Sequence, residues 1–403
     1  MNPTRRDILR IFALGSAAAL PFAPRAVLAA SPTERRFGVV LLRGALDGIA
    51  AVPPVGDPRY RERRGSLALP VVGEAGGCLP LDGFFALHPV LAAIHPYWAQ
   101  GELLFVHAAG NGYHTRSHFD AQDLMETGFA AETGQSDGWL NHALSVLQRG
   151  PDDRRLGIAV GGAVPLLLRG KTRVASWEPP GLAAASPEFL TTLASLYEGD
   201  PLLGPALGEG LHGQSMAASV LRDDGTRGPQ GFGPKSFKPI AEAAGRLLAA
   251  SDGPRIAALE MNGWDTHVGQ GTTAGRLAQN LEGLAEGLHA LAMALGPAWY
   301  DTVVVAVTEF GRTVAVNGTG GTDHGSASIV LLMGGAVRGG AMHGDWPGLD
   351  QLEENRDLRV ATDARAVLKG ILRDHLGIDR AALDQRVFPD APALRPTDGL
   401  IRT

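Results

Sequence analysis

The stretch Ile256-Ala257-Ala258-Leu259-Glu260, running on through Met261-Asn262-Gly263-Trp264 to Asp265-Thr266-His267, changes character half-way along. Ile256 to Glu260 is a short apolar run without regular polar alternation, the pattern of a strand covered on both faces. A glycine, a carboxylate and an imidazole follow at once. Beyond them the spacing predicts a helix from Thr273 to Leu295, with Leu277, Leu281, Leu284, Leu288, Leu291 and Leu295 recurring at threes and fours, and Gly296-Pro297 stops it. Strand, polar loop and helix in that order form the repeating unit of a parallel α/β sheet.

The same unit recurs in both directions. Further strand-length apolar runs are Phe37 to Leu42, Leu103 to His107, Leu156 to Val160, Thr302 to Thr308 and Ser328 to Met333. Helices are expected at His88 to Gln100, Ser117 to Thr127, Gly138 to Gln148, Pro187 to Glu198, Phe237 to Ala250 and Asp363 to Leu376. No charged or serine-rich linker divides these elements. The expected fold is therefore one α/β domain over residues 31–403, a doubly wound, mostly parallel sheet with helices on both faces. Residues 170–186 read as irregular and 200–236 as rich in glycine and proline, so an irregular insert or cap is expected over about 170–236.

Composition narrows the partners. Of 403 residues, 45% are hydrophobic and 19% charged, which excludes a disordered or collagen-like chain, and glycine is in excess at 54. The single cysteine, Cys78, excludes an intrachain disulfide framework. The net charge of −6 argues against capture of nucleic acid, and four lysines against thirty-two arginines favour planar, bidentate pairing. Residues 1–30 read as an address: Arg5-Arg6 precedes the apolar run Ile11 to Ala23, with small residues at Val27, Ala29 and Ala30, and resembles a twin-arginine export signal. Its removal takes the net charge to −9. A periplasmic or secreted protein folded before export is expected, with a small-molecule or polymer substrate, no nucleic-acid partner and no later apolar run long enough to span a membrane.

In an open α/β sheet, ligands bind beyond the carboxyl ends of the strands. There the chain carries Arg43-Gly44-Ala45-Leu46-Asp47-Gly48, Arg116-Ser117-His118-Phe119-Asp120, Asp265-Thr266-His267, Glu309-Phe310-Gly311-Arg312 and Thr322-Asp323-His324-Gly325. Asp265 and His267, two apart, point the same way in an extended segment and offer donors for zinc, manganese or iron, or, with more oxygen, calcium or magnesium. Taken alone they are equally a loop hydrogen-bonding pair, and Asp47-Gly48 and Asp323-His324 also read as turns. Ser117 with Asp120 matches a helix capping box, while the same place suits a hydroxyl nucleophile at a positive helix end. Arg116 and Arg312 are candidate holders of substrate oxygens, or members of ion pairs. His88, His95, His107, His142, His289 and His375 fall within predicted elements and read as packed or surface residues, and Gly213-Gln214-Ser215-Met216-Ala217 lacks the strand a nucleophile elbow needs.

Taken together, Leu42 to Gly48, Arg116 to Gln122, Gly138-Trp139-Leu140, Gly263 to His267, Thr308 to Arg312 and Gly321 to Gly325 resemble the exported bacterial family called domain of unknown function 1501, related in fold to alkaline phosphatases and sulfatases. The resemblance covers essentially the whole chain after residue 30. It implies a two-metal site: Asp47 as first-strand ligand, Ser117 as nucleophile, Asp265 and His267 as a ligand pair, Glu309 in the place of an aspartate, and His324 with Asp323 closing the site. Glu309-Phe310 departs from the usual Asp-His pair of that superfamily. The resulting expectation is a metal-dependent hydrolase or transferase of a phosphate or sulfate ester. The alternative is a non-catalytic exported binding protein with a structural ion, so the residues leave open whether the chain is an enzyme. An exported redox protein would need a cofactor for which no motif is present.

Overall fold

The computed structural model describes residues 33–402 except 114, 132–133, 149–155, 180–185 and, between 201 and 232, all but 203–204, 207–208, 210–211 and 220–221. The leader, the Gly213 to Ala217 stretch and, within the expected cap, residues 180–185 and most of 201–232 lie outside the described residues. Among the described residues nine strands form one sheet: β1 (Arg36–Arg43), β2 (Leu103–Gly110), β3 (Gly157–Val160), β4 (Ala175–Trp177), β5 (Ile256–Asn262), β6 (Thr302–Thr308), β7 (Ser328–Met333), β8 (Ala341–His343) and β9 (Thr362–Asp363). The order is β8-β2-β7-β6-β1-β5-β3-β4, with β9 also on β2. β1 lies between β5 and β6, parallel to both, with Val40 opposite Leu259 on one side and Ala306 on the other.

Alternation along β1 assigns the two layers. Val40 and Leu42 pack with one cluster, and Phe37, Val39 and Leu41 with another, as a period of two requires. Helices α1 (His118–Thr127), α2 (Trp139–Leu147), α3 (Pro187–Leu196), α4 (Pro234–Ala249), α5 (Arg276–Leu295) and α6 (Ala364–Asp374) follow the expected spans within a few residues. Buried residues of α4 and α5 cover the first face, and those of α2 and α6 the second. The N-cap of α5, Gly275, makes no side-chain capping bond. Its six leucines are all buried, each worth roughly 1.5–3 kcal/mol against exposure, so packing outweighs the roughly 1 kcal/mol of a missing cap.

Three features depart from the expected pattern. β7 runs antiparallel to both β2 and β6, because residues 309–327 turn back at the carboxyl end of β6 instead of crossing a face of the sheet through a helix. That whole return loop is thereby held at the carboxyl end of the parallel strands. The single helix expected over His88 to Gln100 is a 3-10 turn at Pro89–Leu91 and a short helix at His95–Ala99, since Pro89 and Pro96 each start a new segment. Ala175–Trp177, in a stretch expected to be irregular, forms the edge strand β4.

Two glycines show what the glycine excess does at the strand ends. Gly44 has φ of +117°, and a Cβ there would lie 2.6 Å from the Asp265 nitrogen. A Cβ on Gly311 would lie 1.8 Å from the Ala327 carbonyl oxygen, inside the return loop. Among the described residues no helix is long and apolar enough to cross a membrane.

His88, His107 and His375 are buried, as expected of packed histidines, with Nε2 2.8–3.0 Å from the carbonyl oxygens of Thr272, Val52 and Arg36. Burial pushes each imidazole down to about 4. Unfolded histidines take up protons near pH 6.5, so between pH 6.5 and 4 the unfolded chain binds protons that the folded chain refuses. Stability should therefore be complete above pH 6.5 and fall as pH drops toward 4, by roughly 1.4 kcal/mol per pH unit for each such histidine. Urea unfolding of the chelator-treated protein across this range checks this; a flat midpoint would contradict it.

Candidate metal centre

Three segments bring polar side chains to the carboxyl end of the sheet. After β5, Trp264 is fully buried and donates its indole N–H to the Met261 carbonyl at 3.0 Å, which fixes the turn from which Asp265 and His267 project. After β6, the return loop supplies Glu309, Arg312, Asp323 and His324, with Arg312 and His324 bridged across it. After β2, Arg116 takes φ of +61°, rare for a side chain of its size, and the turn delivers His118 as the first residue of α1.

The imidazoles face one another. His267 Nε2 lies 2.9 Å from His324 Nε2, and Asp265 Oδ1 lies 3.1 Å from the first and 3.3 Å from the second. His118 Nε2 is 3.6 Å from Asp265 Oδ2 and, though buried, has no hydrogen-bond partner. One donor atom each from His118, Asp265 and His324 lies within 4.8 Å of the others. Donors bound tetrahedrally at ~2.0–2.1 Å stand roughly 3.3 Å apart, so the Asp265, His267 and His324 atoms already have the spacing of one face of such a site.

The far nitrogen of each ring decides where its lone pair points. His118 Nδ1 is 2.8 Å from Glu309 Oε1, His267 Nδ1 is 3.0 Å from Asp323 Oδ1, and His324 Nδ1 is 3.0 Å from the Arg116 carbonyl oxygen. Those oxygens only accept, so each Nδ1 donates and each neutral ring turns an Nε2 lone pair inward. Two lone pairs 2.9 Å apart repel unless a cation or a shared proton lies between them. Carboxylates and carbonyls behind the rings are the usual outer support of metal-bound histidines.

Charge is arranged to keep the carboxylates ionised. Burial opposes the charge on Asp265, but the hydrogen bond and attraction from Arg312 hold it below the usual carboxylate range. Burial likewise opposes Glu309, yet hydrogen bonds from His118, Gln122 and Gly44 hold it low. Asp323 is lowered chiefly by the Asn317 hydrogen bond. The Glu309 hydrogen bond raises His118, whereas burial lowers His324.

The expected site residues divide into two sets. Asp265, His267 and His324 converge. Asp47 stands apart, buried, accepting from the Ala50 backbone at 3.1 Å, from Gln270 Nε2 at 2.7 Å and from Arg64. Glu309 and Asp323 sit behind the imidazoles. Arg116, expected at the substrate, holds Asp357 at 2.9 Å and Glu354 at 2.6 Å, and buried Arg312 donates to Asp265 at 2.6 Å and to Thr322. Both therefore position other groups. Ser117 stands at the N-cap of α1 without a side-chain capping bond, and Asp120 accepts from the Tyr113 hydroxyl at 2.8 Å, so the expected capping box does not form. His118 was absent from the expected set although its motif was in view; its signal is an imidazole beside a strand-end turn, and Phe310, next to Glu309, stacks on it at 5.0 Å.

Residues 110–383 match the model of the family described as a protein of unknown function, DUF1501. The chain belongs to this family. No curated protein matches this DUF1501 chain. Solved structures similar to it include a phosphonate monoester hydrolase of Agrobacterium radiobacter, 13% identical at a TM-score of 0.35, over 86% of this chain and 74% of that one. BT1596, a 2-O GAG sulfatase, is 11% identical at 0.33, over 86% and 71%. The zinc complex of the C-terminal periplasmic domain of EcEptC from Escherichia coli is 8% identical at 0.29, over 75% and 73%.

Replacing Glu309 with glutamine removes the acceptor charge behind His118 and should weaken divalent-ion binding by roughly 10–100-fold. Competition with a chromogenic chelator measures this; unchanged affinity would mean that Glu309 does not orient a ligand.

Proposed function

We propose that this chain is an exported, metal-dependent hydrolase or transferase acting on phosphate or sulfate esters. The observation that carries the reading is the 2.9 Å approach of two inward-facing Nε2 atoms, with Asp265 completing their triangle and His118 Nε2 unpartnered beside it. Nitrogen-rich donors suit zinc, manganese or iron better than calcium or magnesium. A bound ion would polarise an ester oxygen and activate water or a hydroxyl. Asp265 and His267 are 43% and 39% exposed, so an ester at the surface can reach the site without passing through the core. Ser117, directly before His118 at the start of α1, is the hydroxyl proposed to attack, with solvent water the other nucleophile. Arg312 holds Asp265 in place, and Arg116 presents its carbonyl to His324. The arginine pair of residues 5–6 supports export to the periplasm or beyond.

One feature favours the alternative, a non-catalytic exported protein with a structural ion. Three imidazoles and a carboxylate make four protein donors, enough to close a tetrahedral sphere. Metal analysis of natively exported protein, coupled to a panel of phosphate and sulfate esters, separates the readings. Turnover that disappears together with the ion in Asp265→Ala/His267→Ala supports the hydrolase. A retained ion without turnover on any ester supports the binding protein, and metal-free protein of full stability overturns both.

A further inference from the structure

We infer that the chain holds one ion, and that the buried guanidinium of Arg64 neutralises Asp47 where the resemblance implies a second. This rests on the metal-dependent reading above and departs from it in the number of ions and the residues that hold them. The two-metal arrangement needs Asp47 and Glu309 to offer lone pairs to metal, and both oxygens of each already accept from protein donors, while Asp323 is engaged through Oδ1.

Asp47 is almost wholly buried. Its Oδ1 accepts from the Ala50 backbone, and its Oδ2 accepts from Gln270 and from Arg64. Arg64 is fully buried as well and donates to the carbonyls of Thr313 and Val314 at 3.3 and 3.0 Å. An arginine does not give up its charge, so a divalent ion placed on Asp47 would meet a fixed positive neighbour. Glu309 Oε1 accepts from Gly44, His118 and Gln122 at 2.8, 2.8 and 3.0 Å, and its Oε2 from Thr308 at 2.9 Å. Asp323 Oδ1 accepts from His267 and from Asn317 at 2.9 Å.

The route from Asp47 toward the imidazoles is also filled by a hydrogen-bonded chain. Gln270, buried, donates to Asp47 and accepts through Oε1 from Thr266 at 2.8 Å and Thr322 at 2.7 Å. Thr322 in turn accepts from Arg312 at 3.1 Å, and Arg312 donates to Asp265. Asp265 has an arginine too, but it is 43% exposed and has three imidazole nitrogens within 3.6 Å, whereas Asp47 is buried among Arg64, Gln270 and the Ala50 backbone. Among the described residues, donor atoms of His118, Asp265 and His324 lie within 4.8 Å of one another, and His267 Nε2 adjoins two of them, 3.1 Å from Asp265 Oδ1 and 2.9 Å from His324 Nε2. The geometry points to a centre made of those three with His267, and to a protein cation at Asp47.

The test is to strip the folded protein of metal and titrate it with cobalt(II), following the visible absorption bands, with elemental analysis of a zinc-loaded sample. One equivalent per chain is expected, with a band intensity typical of a low-coordinate, imidazole-rich site. Asp47→Asn should still take up one equivalent with the same spectrum, and Asp265→Ala/His267→Ala should take up none. Two equivalents in the unaltered protein would overturn the single-ion inference and leave the metal-dependent reading standing, whereas none would overturn both. Loss of the ion from Asp47→Asn that keeps native circular dichroism would also overturn it. If that variant does not fold, the titration of the unaltered protein decides.

Discussion

A carboxylate buried at the end of β6 must find donors or cost several kcal/mol, and Glu309 finds four from three places. The Gly44 backbone beyond β1, the His118 ring and the Gln122 amide of α1, and the Thr308 hydroxyl beside it all converge on one side chain. Gly44 reaches it only through a positive φ and in close contact with the chain at Asp265. Gln122 also accepts from Arg43, which pairs with Glu126 and Glu260. Three loops that are far apart in sequence are thereby held at fixed separations. The imidazoles approach to hydrogen-bond distance because their carriers are pinned behind them.

The preference for arginine over lysine acquires a structural sense around this anchor. Arg64 serves Asp47 and two backbone carbonyls, Arg312 serves Asp265 and Thr322, and Arg116 serves Asp357 and Glu354. Each use needs several N–H groups in a plane, which a lysine ammonium cannot present. Arg116 shows how this bears on the site. Its side chain is tied to the fully buried Asp357, its backbone adopts a left-handed conformation, and the resulting turn aims its carbonyl at His324. Of the two expectations for Arg116, a holder of substrate oxygens or a member of an ion pair, the ion pair is present, and it places the carbonyl behind the His324 ring.

Strand positions, the helix α5 and the gathering of Asp265, His267 and His324 at the carboxyl ends were legible in sequence because each depends on local periodicity and on what directly follows a strand. The direction of β7 was not, since an apolar run reads the same either way and only the return of residues 309–327 sets it. The three-residue edge strands are too short to show a period. Which polar side chains face one another and which stand behind them has no local signal either. Glu309 and Asp323 lie where ligands were expected, but their lone pairs are used by groups as distant as Gly44 and Asn317, and no spacing encodes that. A histidine at a helix start, such as His118, has many ordinary uses until the buried carboxylate behind it is known.

The same distinction bears on whether four protein donors shut the site. The three rings are held from behind by Glu309, Asp323 and the Arg116 carbonyl, so their Nε2 atoms form the rigid part. Asp265 is different: it is the most exposed of the four, and its Oδ1 is shared with Arg312 at 2.6 Å. A carboxylate oxygen already neutralised by a guanidinium donates less to a metal than a free one, and a partly exposed side chain moves at little cost. A centre built this way has three firm positions and one that can yield. An ion held by the three imidazoles would keep a place for a further oxygen donor whenever Asp265 leaned toward Arg312, so a count of four donors does not by itself close a coordination sphere.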